Sequence, residues 1–266
     1  MKVMVLGATG MAGHVVNRYL REQGHEMFPH GGRSHIDLSN GFDELTKWVR
    51  ECKPDVIVNC VGILVKPSAD NPEMATAINE ILPHALATLG PRLFHLSTDC
   101  VFSGKRGSYT EADEPDETKV YGATKARGDV NVPPHLTVRV SIIGPEIGEG
   151  TGLFAWSRSE AGNRIYGYDN AYWNGITTLE LAKFIQRFVE DDDPLNGLLH
   201  LYCKTAVSKL TLLHHISDSH ELGLRISSVT LPEKVDKTLA SIRTEVGYEP
   251  SSIEQQLQEL RDWYLD

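Results

Sequence analysis

The chain has 266 residues, and its 26 Lys and Arg against 36 Asp and Glu give a formal net charge of −10. With 41% hydrophobic and 23% charged residues it has the composition of a globular protein, which excludes extensive disorder. The acidic balance argues against a protein whose main partner is nucleic acid or an anionic membrane surface.

The cysteines and the apolar runs exclude further classes. The four cysteines, at positions 52, 60, 100 and 203, form no CxxC pair, which argues against a disulfide framework or a cysteine-based zinc site. No apolar run approaches the about 18 residues of a membrane span, and the glycine-rich start does not resemble a signal peptide. We therefore expect a cytoplasmic protein.

Short apolar segments alternate with longer segments of helical periodicity along the chain. The predicted strands are residues 3–6, 26–29, 56–60, 92–97, 136–141 and 198–202. The predicted helices are residues 11–23, 42–52, 72–89, 121–130, 178–190, 207–222 and 252–265. With right-handed crossovers, this alternation predicts an α/β fold with a doubly wound parallel sheet of the Rossmann type.

The stretch 142–174 breaks the alternation, because it is rich in glycine and aromatic residues and contains Gly144-Pro145 as a turn signal. We predict a dinucleotide-binding core over residues 1–141 and a small C-terminal substrate-binding lobe over residues 142–266. Within the second part, residues 178–202 are expected to return to the core.

A glycine-rich turn, Gly7-Ala8-Thr9-Gly10-Met11-Ala12-Gly13, joins the first predicted strand to a helix. In such a turn Gly7 permits the tight bend, Gly10 the close approach of a pyrophosphate, and Gly13 the packing of helix on sheet. The helix N-terminus then offers oriented N–H donors to the anion. This context predicts a dinucleotide site.

The end of the second predicted strand, His30-Gly31-Gly32-Arg33-Ser34, bears on which dinucleotide is bound. NAD sites usually carry an acidic residue there for the ribose 2′-hydroxyl, and this segment has none. The Arg33 guanidinium offers a bidentate contact to a 2′-phosphate, although a solvated loop arginine is the alternative. We predict that NADP(H) is favoured over NAD(H).

A second motif, Tyr121-Gly122-Ala123-Thr124-Lys125, places Tyr121 and Lys125 on one face of a predicted helix. The ammonium, together with an oxidised nicotinamide, is expected to lower the pKa of the tyrosine toward its working range. Upstream, Ser97 and Thr98 end a strand at the carboxyl edge of the sheet, where doubly wound folds keep their sites. Thr98 and Tyr121 are then placed to hydrogen-bond one substrate oxygen, unless the two hydroxyls only close the strand.

These motifs together resemble the extended short-chain dehydrogenase/reductase family. Within it, LSTDCVFSGKRGSYTEAD followed by YGATKARGD is similar to the dTDP-4-dehydrorhamnose reductases and related nucleotide-sugar reductases, over essentially the whole chain. The resemblance implies NADPH-dependent reduction of the C4 keto group of a nucleotide-linked deoxy-sugar. It also implies a nucleotide-sugar as the partner and a homodimer as a possible assembly.

By matching motif, the resemblance makes Tyr121 the general acid, has Lys125 anchor the nicotinamide ribose, and has Thr98 orient the carbonyl. It also makes Asn79 an architectural residue. Expected cofactor contacts are Gly7, Thr9, Gly10, Met11, Arg33, Asp37, Cys60, Val61, Gly62, Ser97, Tyr121 and Lys125. Expected substrate contacts are Asp99, Cys100, Ser141, Trp173 and Asn174.

Two departures from the rhamnose-type pattern bear on the substrate. Cys100 stands where an aromatic residue is usual, and the tryptophan usual after the strand that ends near Ser141 is missing. Trp173 and Asn174 are candidates to compensate, although the segment also has a simpler use. Thr177 and Glu180 have the spacing of a capping box for the helix that follows.

Three other functions are weighed against reduction. An epimerase or dehydratase of the same superfamily is one, but a dehydratase would have Glu in place of Cys100. A non-catalytic NADP-binding regulatory subunit is another, and the intact Thr98, Tyr121 and Lys125 argue against it. A metal enzyme is disfavoured, because the 11 histidines form no HExxH motif.

Overall fold

The computed structural model describes residues 1–32, 35–148, 150–192 and 195–265. The strands are β1 (Lys2–Leu6), β2 (Glu26–Pro29), β3 (Val56–Asn59), β4 (Arg92–Thr98), β5 (Leu136–Val140), β6 (Ile142–Ile143), β7 (Arg164–Tyr168), β8 (Ala171–Trp173), β9 (Ile176–Thr177), β10 (Gly197–His200), β11 (Val207–Ser208), β12 (Arg225–Val229) and β13 (Val235–Asp236). The helices are α1 (Met11–Glu22), α2 (Asp43–Cys52), α3 (Val65–Asp70), α4 (Pro72–Ala75), α5 (Leu82–Ala87), α6 (Val120–Arg127), α7 (Leu153–Ser159), α8 (Thr178–Glu190), α9 (Lys209–Ser219) and α10 (Ile253–Leu265). Leu38–Asn40 and Asp99–Val101 form 3₁₀ turns, and Thr76–Ile81 forms a π turn.

The central sheet has six parallel strands in the order β10-β5-β4-β3-β1-β2. Each of the six predicted strands is present in it, so the predicted doubly wound α/β fold is confirmed. Strand β1 has β2 on one side and β3 on the other, which is where the strand order reverses. In doubly wound folds ligands bind outside the carboxyl ends of the strands at this point.

Apolar side chains cover both faces of the sheet, as the nearly continuous apolar strands predict. One face packs against α1 and α8, with Leu20 and Phe184 fully or almost fully buried. The opposite face packs against α2 and α5, with Leu45 and Leu82 buried. The sheet is therefore the middle of three layers, and its carboxyl edge is the part left for a site.

The predicted helix over residues 72–89 is interrupted by the π turn. Pro83 has no N–H to donate to the carbonyl four residues earlier, on Asn79, and such a gap is a common cause of an irregular turn. Gly128 packs against that same carbonyl, since a Cβ on Gly128 would lie 1.9 Å from the Asn79 oxygen. The turn leaves the Asn79 side chain buried between neighbouring segments.

The second half of the chain contains short strands that the sequence did not predict. Strand β7 pairs with β12, β8 pairs with β11 and β13, and β6 pairs with β9. These strands are two to five residues long, too short for a period to be recognised. Strand β10 lies at the sheet edge beside β5, and α8 packs on α1, while the predicted domain division stays a prediction.

The thiols and the ionisable side chains form neither crosslinks nor metal clusters in the described ranges. All four cysteines are free. Across residues 1–32, 35–148, 150–192 and 195–265, no three His, Cys, Asp or Glu side chains gather as metal ligands. The same part of the chain contains no helix with the length and apolar character to cross a membrane.

Candidate active site

The glycine-rich turn joins β1 to α1 in the predicted way. Gly7 has a φ of +77°, which favours glycine, and it lies against the backbone of Cys60. A Cβ on Gly13 would lie 2.1 Å from the Gly7 carbonyl oxygen. Helix α1 therefore approaches the turn this closely only because residue 13 has no side chain.

The amino end of α1 is open to an anion. Gly10 caps the helix without a side-chain hydrogen bond, and the first turn carries no acidic residue. The first N–H groups of a helix have no partner inside the helix, and the helix dipole favours negative charge there. The turn therefore fits a pyrophosphate group.

A cleft of about 230 Å³ starts at this turn, where β1 and β3 end. It is lined by seven of the expected cofactor residues, namely Gly7, Thr9, Gly10, Asp37, Cys60, Val61 and Gly62. The Asp37 carboxylate accepts hydrogen bonds from the Ser39 backbone N–H and hydroxyl. The Met11 methyl group instead approaches Gly152 in the second half of the chain. Arg33 lies outside the described residues.

Helix α6 docks directly on the 3₁₀ turn that follows β4. A Cβ on Gly122 would lie 2.2 Å from the Cys100 carbonyl oxygen, so the second residue of the motif must be small. This contact brings Tyr121 beside Thr98, close enough for the Thr98 side chain to affect the pKa of the phenol. The structure thus places the two expected hydroxyls together at the carboxyl edge of the sheet.

Tyr121 is held in its protonated form. Burial raises the pKa of its phenol well above the usual value, and Cys100 and Asp99 raise that pKa further. The Thr98 side chain acts in the opposite direction. This differs from our expectation that Lys125 lowers the tyrosine pKa, because the Lys125 amine points toward β4.

Lys125 is buried, with 3% of its surface exposed. Its Nζ donates to the Leu96 carbonyl oxygen at 2.7 Å and lies 3.3 Å from the His95 Nε2. Burial lowers the pKa of Lys125 to about 8, although Asp129 and Cys60 act to raise it. An amine of this kind changes its charge close to neutral pH.

Thr98 is hydrogen-bonded to its neighbours in the chain. Its hydroxyl donates to Asp99 Oδ1 at 3.1 Å and accepts from the Cys100 N–H at 3.1 Å. The hydroxyl therefore closes the strand and also faces the tyrosine, so both uses considered for it are present. Burial and Asp99 raise the pKa of the Cys100 thiol to about 12, which keeps it neutral.

Ser97 donates its hydroxyl proton to a buried ion pair, while its expected cofactor contact stays a prediction. Its hydroxyl donates to Asp129 Oδ1 at 2.5 Å, and Asp129 Oδ2 accepts from Arg139 Nε at 2.8 Å. The Arg139 and Asp129 side chains are only 5% and 6% exposed. Buried charges of this kind need additional hydrogen bonds, and Ser97 provides one.

Asn174 is used entirely by the protein backbone, which corrects its assignment to the substrate. Its Oδ1 accepts from the Leu239 N–H at 2.9 Å, and its Nδ2 donates to the carbonyls of Leu239 and Cys203. The amide therefore fixes the C-terminal segment to the end of β8. It has no donor left for a ligand, since both N–H groups are engaged.

Trp173 is mainly a core residue. It is 4% exposed and packs with Phe154 and Leu212, and its Nε1 donates to the Ser141 hydroxyl at 2.8 Å. Ser141 and Trp173 are therefore brought together, but they bind each other. The predicted capping role of Thr177 is present, since its hydroxyl accepts from the Glu180 N–H at 3.2 Å at the start of α8.

A family model described as the RmlD substrate binding domain matches residues 1–243. The chain belongs to the RmlD substrate binding domain family. It is 34% identical over 166 residues to the probable low-salt glycan biosynthesis reductase Agl14 of Haloferax volcanii, with 54% of each chain covered. The chain thus spans about half the length of this curated relative.

Two further relatives of this RmlD-family chain differ in their described roles. Methionine adenosyltransferase 2 subunit beta of Danio rerio is 26% identical over 242 residues, which cover 83% of this chain and 74% of that protein. The dTDP-4-dehydrorhamnose reductase of Bacillus anthracis, solved in complex with NADP, is 20% identical. The structural alignment covers 98% of this chain and 99% of the Bacillus anthracis chain with a TM-score of 0.82, which shows a shared fold.

The RmlD-type fold brings Lys209 into the site, which the sequence analysis missed. Its Nζ lies 5.2 Å from the centre of the Trp173 ring. Burial lowers the pKa of Lys209, while Asp99 and Cys100 raise it. Among the described residues no carboxylate lies within 4 Å of the amine. The pairing of β11 with β8 creates this position, and no local motif marks it.

Lys209 also lines a larger cleft, of about 750 Å³, in the second half of the chain. We call it the aromatic cleft, because its walls include Trp156, Tyr166 and Tyr168. Tyr166 is 65% exposed, which is unusual for a large aromatic side chain. Arg164 supplies a second cation to its wall.

Proposed function

We propose that this RmlD-family protein is an NADPH-dependent reductase of the C4 keto group of a nucleotide-linked deoxy-sugar. The observation that carries the proposal is the docking of α6 on the turn after β4, which brings Tyr121 and Thr98 together at the carboxyl edge of the sheet. A carbonyl oxygen that accepts hydrogen bonds from both hydroxyls is polarised by them. Tyr121 can then donate its proton to the oxygen as it becomes an alkoxide.

The cleft at the glycine-rich turn, which we call the cofactor cleft, has residues that fit a nicotinamide dinucleotide. The open N–H groups of α1 suit the pyrophosphate, and Lys125 would hold the nicotinamide ribose. When bound, the cofactor supplies the hydride for the carbonyl carbon. The preference for NADPH rests on Arg33 and on the lack of an acidic residue at the end of β2, and the NADP complex of the Bacillus anthracis enzyme supports it.

A protonated Tyr121 is the form that a reduction requires. An oxidising enzyme needs a tyrosinate that removes the alcohol proton, whereas a reductase needs a phenol that supplies one. Burial keeps this phenol protonated at neutral pH. The catalytic Thr98, Tyr121 and Lys125 are thus arranged for proton donation to a substrate oxygen.

Lys209 supports an anionic substrate. A largely buried ammonium without a carboxylate partner is costly, and a ligand that carries negative charge would offset this cost. The diphosphate of a nucleotide-sugar carries such charge. The exposed aromatic rings of the neighbouring cleft offer flat surfaces for a base.

Replacing Lys209 with methionine is expected to raise KM for a nucleotide-sugar by about 10- to 100-fold, because a hydrogen bond to a charged group contributes about 1.5–3 kcal/mol. We expect kcat to change less, because the contact is made in the ground state as well as in the transition state. Initial-rate kinetics would measure both. Lys204→Met is the matched control, since Lys204 is an exposed lysine paired with Glu249. Equal KM values for the two variants would contradict the role of Lys209.

The test of the proposed reaction is NADPH oxidation by the purified protein with a panel of nucleotide-linked 4-keto sugars. We expect NADPH to be consumed in proportion to product, since a reductase does not regenerate it. Conversion of the sugar without net NADPH consumption would instead indicate an epimerase or dehydratase. Cofactor binding without turnover of any sugar would favour a non-catalytic regulatory subunit, and the Danio rerio relative is named as the beta subunit of methionine adenosyltransferase 2.

The glycine-rich turn gives a separate prediction for cofactor binding. In Gly10→Ala the new Cβ would lie 3.4 Å from the Gly7 oxygen, an ordinary contact, so the fold should be retained. We expect NADPH affinity to fall at least about tenfold, because the methyl group obstructs the approach of the pyrophosphate. Gly13→Ala should also lower the free energy of unfolding, by about 1–3 kcal/mol, through overpacking.

Calorimetric titration with NADPH and thermal unfolding would separate the two effects. The expected pattern is weak binding in both variants and lost stability in Gly13→Ala alone. Unchanged NADPH affinity in Gly10→Ala would show that the pyrophosphate does not lie against this turn.

A further inference from the structure

A buried row of hydrogen bonds links the cofactor cleft to Lys125. The Val61 N–H donates to Asn59 Oδ1 at 3.1 Å, and Asn59 Nδ2 lies 3.1 Å from His95 Nδ1. On the other side of the ring, His95 Nε2 lies 3.3 Å from Lys125 Nζ, which donates to the Leu96 carbonyl oxygen. Asn59 and His95 are completely buried.

The donors and acceptors of this row fix one another. A backbone N–H can only donate, so the Asn59 oxygen faces Val61 and its amide nitrogen faces the imidazole. His95 Nδ1 must then accept, which leaves the proton of the neutral ring on Nε2. That proton points at Lys125. When Lys125 is a neutral amine, its lone pair can accept from His95 Nε2–H, and every group in the row has a partner. When Lys125 is an ammonium, its N–H groups and the His95 Nε2–H are donors that face each other.

We propose that His95, held by Asn59 as the Nε2–H tautomer, is a positioning residue that sets the charge state of Lys125. This proposal concerns the proposed reductase site, and its functional meaning rests on that proposed function. Its consequence is that Lys125 releases its proton far more readily than an ordinary lysine. The charge that this lysine presents to the cofactor ribose then varies with pH near neutrality.

The other ionisable groups around the row do not replace His95 in this role. Asp129 raises the pKa of Lys125, but its carboxylate is already paired with Arg139. Burial raises the pKa of the Cys60 thiol to about 12, so no thiolate faces the lysine from the end of β3. Tyr121 on α6 is neutral as well.

The imidazole itself stays neutral. Burial lowers the pKa of His95 well below its usual value, and the interactions of the ring with Lys125 and His84 lower it further. The neutral ring accordingly donates through one nitrogen and accepts through the other. The same conditions lower the pKa of Lys125, since burial disfavours its ammonium.

The tautomer can be read directly by ¹⁵N NMR of histidine side chains in the full-length, cofactor-free protein. His135 is an internal reference, because its Nδ1 accepts from the Leu93 N–H at 3.1 Å, which leaves the proton of its neutral ring on Nε2. We expect His95 to show the same pattern, with the proton on Nε2. A proton on Nδ1 of His95 would overturn the proposal, whether or not the protein reduces any sugar.

The charge of Lys125 can be followed by ¹³Cε NMR titration, with Lys125→Met to assign the signal. In the unaltered protein we expect a midpoint at least one pH unit below that of the other lysines. In His95→Gln the side-chain oxygen can accept from the ammonium, so the midpoint should rise by at least one unit. His135→Gln is the matched control and should leave the Lys125 midpoint in place.

Asn59→Asp tests the same row from its other end. A carboxylate accepts from Val61 and also from His95 Nδ1, so the ring proton should move and Nε2 should become an acceptor for the ammonium. We expect the tautomer to switch and the Lys125 midpoint to rise together. An ordinary lysine midpoint in the unaltered protein, or a midpoint unmoved in folded His95→Gln, would overturn the proposal. The measurements on the unaltered protein decide it if the variants do not fold.

Discussion

Replacing Tyr121 with phenylalanine is expected to lower kcat for sugar reduction by about 10²- to 10⁴-fold, the range contributed by a positioned general acid. The variant loses one oxygen and keeps the ring that packs against the 3₁₀ turn. NADPH affinity should therefore stay within about twofold, since Tyr121 does not line the cleft at the glycine-rich turn, where the pyrophosphate is proposed to bind. Initial rates of product formation would measure kcat, and calorimetric titration with NADPH would measure the affinity for the cofactor.

Tyr19→Phe is the control for this substitution. Tyr19 lies on α1 and packs edge-on against Trp263, away from the glycine-rich turn. It is a partly buried tyrosine whose pKa is also raised by burial, and it has no place in the proposed chemistry. Similar activity losses in the two variants, or full activity in Tyr121→Phe, would show that Tyr121 is not the proton donor.

Replacing Asp129 with alanine is expected to lower the free energy of unfolding by about 3–5 kcal/mol, because it leaves a buried guanidinium without its counter-charge. Arg139 is only 5% exposed and its Nη1 already has no hydrogen-bond partner in the described structure. The substitution also removes the acceptor of the Ser97 hydroxyl. Urea unfolding at neutral pH would measure the loss.

Glu80→Ala is the matched control, since Glu80 forms an arginine pair of the same length, 2.8 Å, with Arg127. That arginine is 54% exposed, so solvent screens the pair. Exposed pairs contribute about 0.2–1 kcal/mol. An equal loss in the free energy of unfolding for the two variants would contradict the prediction that burial makes the Asp129–Arg139 pair the more important one for stability.

The residues that mark strand ends and tight turns were predictable from the sequence, because their signals are local. Gly7 and Gly13 show their roles through spacing, and Tyr121 and Lys125 share a helix face by the period of the helix. The six strands of the sheet are apolar enough to be recognised singly. The fold and the centre of the candidate site follow from such signals.

The remaining features depend on contacts between distant segments. The Asn174 amide is engaged by the backbone of Leu239, which lies 65 residues later in the chain and is not marked by any local motif. Lys209 enters the site only because β11 pairs with β8, and both strands are too short to predict. The Ser97 hydroxyl is engaged by Asp129, which is itself paired with Arg139, whereas the Thr98 hydroxyl faces Tyr121. No local sequence pattern shows this difference.

The irregular turn at residues 76–81 joins two parts of the site that the chain itself keeps far apart. Asn79 Oδ1 accepts from the Ile63 N–H at 2.8 Å, and its Nδ2 donates to the Ile63 carbonyl and to Thr124 Oγ1. Ile63 follows the cofactor-lining Gly62, and Thr124 stands beside Lys125. A single amide thus connects the wall of the proposed cofactor cleft to the helix that carries Tyr121 and Lys125, and we expect a shift of either one to move the other.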